Sequence, residues 1–111
     1  MRNFTCILMT GLLGASAATQ HVARGAEPLA IQVKVDDYMF HPALLTVHVG
    51  DKVTWVNGDQ VPHTIVNVEK RFHSAALDTG DQFSFTFTQT GNFKYFCTLH
   101  PQMVGTIVVV K

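Results

Sequence analysis

The 111-residue chain is short of charge, cysteine and helical pattern. Only 14% of its residues are charged, with eight Lys/Arg against eight Asp/Glu, so no basic stripe exists to follow a nucleic-acid backbone. Two cysteines, Cys6 and Cys97, allow one disulfide at most. No apolar run reaches the eighteen or so residues needed to cross a bilayer. No stretch carries a convincing 3.6-residue period; only 69–77, "EKRFHSAAL", has room for a short helical turn. The length suits one domain.

The longest apolar run, Phe4 to Leu13, follows Arg2 and is followed by the small residues "GASAA". That is the anatomy of a secretory signal peptide. Cleavage is expected after Ala17 or Ala18, with Gly25 a poorer alternative, so residues 1–18 read as the signal and 19–28 as a loose N-terminal arm. Removing 1–18 leaves seven Lys/Arg and eight Asp/Glu, a net charge of about −1. It also removes Cys6. Cys97 is then the sole thiol of an exported chain, which leaves an intermolecular bridge, a reactive group or a metal ligand.

From residue 29 the period is two. Ile31, Val33 and Val35 alternate with polar neighbours, as do Leu45, Val47 and Val49, and Phe83, Phe85 and Phe87. Turn signals at Gly50-Asp51, Asn57-Gly58-Asp59, Thr79-Gly80-Asp81 and Thr90-Gly91-Asn92 separate these runs from "KVTWVN", "HTIVNV", "NFKYFC" and "VGTIVVV". Seven to eight short strands within residues 29–111 predict an all-β, Greek-key sandwich. Lys52 and Thr54 need water, which turns Val53, Trp55 and Asn57 inward. Lys94 likewise turns Phe93, Tyr95 and Cys97 inward and leaves Phe96 outside. An inward Asn57 must find hydrogen-bond partners and so ties something down.

Cys97 thus closes a core strand and is followed by His100 and Met103 in "CTLHPQM". Cys97 alone reads equally as a small buried hydrophobe. Two residues in each gap let three donors fold around one point. His63 offers a fourth: it follows the stiff loop "NGDQVP" and opens an apolar strand. His21 lies in the arm, His48 faces outward, and His41 and His73 stand singly in turns. Two imidazoles, one thiolate and one thioether are the donors of a blue-copper electron-transfer site. Zinc is the rival occupant, but structural zinc sites use Cys and His without Met.

On "VHVGDKVTWVN", "VPH", "FSFTFTQTGNFKYFC" and "CTLHPQM", residues 29–111 resemble the cupredoxins. Among them they are most similar to the amicyanin type, which has short gaps between Cys, His and Met, with plastocyanin and pseudoazurin as wider relatives. The resemblance implies one type 1 copper ion, with His63, Cys97 and His100 as strong ligands and Met103 as the weak axial one. It implies that Asn57 braces the ligand loop, with Thr98 as its expected partner. Thr64, Leu99 and Gln102 depart from the pattern, which has Asn, a common Pro and a bulky apolar residue there.

The expected function is a soluble, periplasmic, monomeric electron carrier, not an enzyme, serving transient donor and acceptor proteins through the exposed edge of His100. Pro62, Leu99 and Pro101 form the expected docking rim, and outward Phe96 offers a second exit. A copper storage or delivery protein is the alternative, but after cleavage only Met39 and Met103 remain as methionines. A copper oxidase or reductase needs an open coordination position or a second site, and the other histidines are scattered singly.

Overall fold

A computed structural model describes residues 30–111; the signal and arm assigned to 1–28 lie outside the described residues. Eight strands follow in order: β1 (Ile31–Asp36), β2 (Met39–His41), β3 (Leu44–His48), β4 (Lys52–Asn57), β5 (Val66–Asn67), β6 (Gln82–Thr86), β7 (Gly91–Cys97) and β8 (His100–Val110). They form two four-stranded sheets, ordered β2-β1-β4-β6 and β3-β8-β7-β5. The β1–β4 and β3–β8 pairings are parallel, and the other pairings are antiparallel. This is the expected all-β sandwich. No helix among the described residues is long and apolar enough to cross a membrane.

The inner faces meet in a core that includes Val33, Val35, Val53, Trp55, Tyr95 and Ile107, all fully buried. Period two places them there: Val53 and Trp55 point inward on β4, Phe93, Tyr95 and Cys97 on β7. On β8, too uniformly apolar to be given faces from sequence, Met103, Gly105, Ile107 and Val109 alternate inward. Val49 departs from the alternation because it lies past the end of β3, in the turn, and is exposed.

The aromatic residues converge on Trp55, whose ring lies 5.4 Å from Tyr95, 5.7 Å from Phe83 and 5.8 Å from Phe72. Phe72 comes from the segment with room for a helical turn, and no helix forms there. The Asn67 side chain accepts the N–H groups of Glu69 and Arg71 and donates to Lys94 O. These side-chain bonds satisfy the backbone without a helix and let Phe72 drop into the core. The run "HTIVNV" is mostly irregular too: only Val66–Asn67 pair with β7, and His63 joins Leu77 through an isolated bridge.

At one end, β7 and β8 form a tight hairpin. Cys97 pairs with His100 across the two-residue turn Thr98-Leu99, whereas the next pair inward is Phe96 with Val104. Pro101, Gln102 and Met103 are therefore extra residues on β8, a bulge that bends the strand. The bulge returns Met103 to the interior.

Candidate metal centre

His63 and Cys97 are fully buried and His100 is partly exposed. Their nearest ligand atoms all lie within 4.8 Å of one another. Cys97 Sγ is 3.7 Å from His63 Nδ1 and 3.8 Å from His100 Nδ1. Bonds of about 2.0 Å to imidazole and 2.3 Å to thiolate, zinc serving as the gauge, span donors up to about 4.3 Å apart. One first-row ion therefore fits between the sulfur and either imidazole.

The protonation states suit a ligand role. His63 Nε2 lies 2.8 Å from the Asp59 carboxylate. An ionised carboxylate only accepts, so Nε2 of His63 carries a proton, and Nδ1 is the nitrogen turned toward Cys97. Burial by itself would push the Cys97 thiol up. Hydrogen bonds from Thr64 N–H, from His63 and His100, and from Leu99 N–H outweigh it and bring the group from 9.0 down to about 6. The thiolate, the form that binds metals, is thus favoured before any ion arrives.

Two loops hold these donors. Asn57 organises the first: its Nδ2 donates to Val61 O at 2.9 Å and Leu77 O at 2.8 Å, and its Oδ1 accepts from Asp59 N–H at 2.8 Å. His63 then exchanges both backbone hydrogen bonds with Leu77. The inward Asn57 does tie down a loop, but Thr98 is not its partner as expected. Both amide protons are committed to Val61 and Leu77, and Thr64 takes the Thr98 contact. Thr64 Oγ1 accepts from Thr98 N–H and lies hydrogen-bonded to Thr98 Oγ1, each at 2.8 Å. Thr64 N–H also points at Cys97 Sγ from 3.3 Å. The departure at residue 64 is thus the bridge between the two loops.

Pro62, Leu99 and Pro101 are exposed, as is Gln102. Phe96, expected outside, is half-buried. Two neighbours of the site escaped the sequence reading. Tyr38 sets its ring edge-on to His63 and His100, with centroids 5.5 and 4.9 Å away. Asp59 carried a faint signal, as a carboxylate four residues before a histidine in a proline-containing loop. Tyr38 carried none.

A thiolate, two imidazoles and a buried thioether at one end of a Greek-key sandwich define a copper-binding electron-transfer class. Residues 28–110 match the copper binding proteins of the plastocyanin/azurin family. The chain belongs to that family, the cupredoxins, and its cofactor is type 1 copper. It is 37% identical over 97 residues to amicyanin from Paracoccus denitrificans, covering 83% of this chain and 71% of that protein. Among solved structures it resembles a purple cupredoxin from Nitrosopumilus maritimus at 35% identity and a TM-score of 0.68, covering 71% of this chain and 98% of that one. A Cu(I) form of an amicyanin variant matches at 34% identity and a TM-score of 0.69, covering 79% and 85%.

Proposed function

We propose that the chain carries single electrons between transient protein partners, with His63, Cys97, His100 and Met103 as the ligands of its copper. The observation that carries this reading is the convergence of Cys97 Sγ and both Nδ1 atoms on one point. When bound, copper supplies the one-electron step between Cu(II) and Cu(I). The chain supplies donors for both states: thiolate and thioether favour Cu(I), and imidazoles also suit Cu(II). Asn57 and the Thr64–Thr98 bridge hold the two loops in place, limiting ligand movement between states. We assign no catalytic residue.

Electrons cross at the edge of His100, the ligand histidine that reaches the surface. Exposed Pro62, Leu99 and Pro101 support a small apolar contact of the kind suited to weak redox encounters. The apolar run Phe4–Leu13 supports export to the periplasm. Optical and EPR spectra of the copper-loaded protein test the centre. An intense blue Cu(II) form that disappears in Cys97→Ser is expected; a colourless Cu(II) form, or blue colour surviving that change, would overturn the assignment. Leu99→Lys should slow exchange with a partner while keeping the colour, and unchanged kinetics would sink the docking claim. Copper passed to an apo acceptor without fast electron exchange would mark a delivery protein instead.

A further inference from the structure

β1 and β2 are joined by a two-residue loop, Asp37-Tyr38, with φ of 54° and 59°. Positive φ at both positions is the backbone of a type I′ hairpin turn, where Asn-Gly is the usual choice. Tyrosine is a poor occupant, because its Cβ crowds the carbonyl in the left-handed region. A glycine would make this turn without strain, so the side chain is kept for some other reason.

Asp59 provides the restraint. Its Oδ1 accepts from Asp37 N–H at 2.7 Å and its Oδ2 from Tyr38 N–H at 2.9 Å. The same Oδ2 accepts from His63 Nε2 at 2.8 Å. Burial would raise the Asp59 carboxyl, but hydrogen bonds from Tyr38, His63 and Asp37 outweigh it and hold the group below its usual value. One carboxylate therefore binds both the strained turn and the buried histidine. The turn in turn lays the Tyr38 ring edge-on to both imidazoles, which are themselves 5.0 Å apart. Tyr38 remains 48% exposed, so its other side faces solvent.

We propose that Tyr38 is a positioning residue for the two ligand histidines, held over them by Asp59. The inference rests on the ligand assignment made above. Its function is to restrict the tilt of both rings, above all of His100, which lacks the enclosure that His63 has. Asp59 fixes the His63 ring from the other side. A carboxylate behind a ligand histidine is a common way to set its orientation and basicity.

Tyr38→Gly separates a positioning role from a folding one, because glycine relieves the turn while removing the ring. The melting temperature of the apoprotein should hold or rise. Copper affinity, measured by chelator competition, should fall at least about tenfold, the lower end for lost outer partners of a metal site, and the Cu(II) EPR signal should broaden into a mixture. Tyr38→Phe, which restores the ring, should restore the wild-type spectrum and affinity. Asp59→Asn should copy Tyr38→Gly, since one amide oxygen cannot serve three donors. Wild-type affinity and EPR in Tyr38→Gly, or in Asp59→Asn, would overturn the proposal. Cys97→Ser and His63→Gly run alongside: if these bind copper normally the ligand assignment itself fails, whereas if they lose it and Tyr38→Gly does not, only the role of Tyr38 falls.

Discussion

The two histidines proposed as ligands differ in almost everything except their distance from Cys97. His63 is fully buried, bonded through its backbone to Leu77 and through Nε2 to Asp59. His100 sits on the two-residue hairpin, partly exposed among Pro62, Leu99 and Pro101. One side of the centre is enclosed in the interior and the other lies at the exposed β7–β8 hairpin. A redox centre needs both, a fixed frame that resists rearrangement and an edge that reaches a partner. In the proposed function His63 serves the first task and His100 the second.

The sharpest way to break that comparison is to delete each imidazole and offer it back. His63→Gly and His100→Gly should both abolish the blue centre. Free imidazole should restore colour to His100→Gly, whose site opens to solvent, and not to His63→Gly. Equal rescue of both, followed by optical titration, would erase the distinction.

Next comes the pH dependence of the metal-free protein. Folding lowers the Cys97 thiol from 9.0 to about 6, so folding favours its deprotonated form. The stabilisation is complete above pH 9.0 and is lost as pH falls through about 6. Thiolate absorbance near 240 nm should follow this window in the apoprotein. In Cys97→Ala, denaturant melts should lose their pH dependence between those limits.

The root of the hairpin gives a smaller effect. Gly105 pairs with Tyr95, and a Cβ built there would lie 2.9 Å from one ring carbon and closer still to a second ring carbon and the hydroxyl oxygen. Gly105→Ala should therefore cost about 1–3 kcal/mol by overpacking, read from chemical denaturation, and should disturb the His100 side first. The Thr64 bridge comes last. Thr64→Val removes the acceptor for Thr98 N–H while keeping its own N–H on Cys97. A loss of about 1 kcal/mol is expected, with a shift in the Cu(II) absorption maximum. An unchanged spectrum would show that the two loops do not need each other.

Most of the frame was legible in the residues, because strands with one wet face declare their period. Lys52 and Thr54 sufficed to turn Trp55 and Asn57 inward, and Lys94 did the same for Cys97. What escaped lies where no period runs. Between Asn57 and Gln82 the chain is mostly irregular, and side chains such as Asn57 and Asn67 satisfy the backbone there. Asn57 was readable as a brace, yet its partners depend on a fold-back to Leu77 that spacing does not encode. Tyr38 was hidden for the opposite reason: its turn contradicts local preference, and a carboxylate twenty-one residues away holds it there. Cys97 and His100 were legible as neighbours from their short spacing, and they lie 3.8 Å apart; His63, thirty-four residues before Cys97, was picked out by its loop and lies 3.7 Å from the sulfur.

β8 runs from His100 to Val110, its eleven residues spanning about 33 Å at the usual rise. β1 runs parallel to β4, so Ile31 begins beside Val53 while Val35 reaches Asn57 near the centre. Ile31 and Val110 therefore both lie at the pole remote from the proposed metal centre. Anything joined at that pole, whether an electrode linker, a lipid anchor or a neighbouring domain, would hold the molecule like a torch by its handle, with His100 and Tyr38 at the lit end.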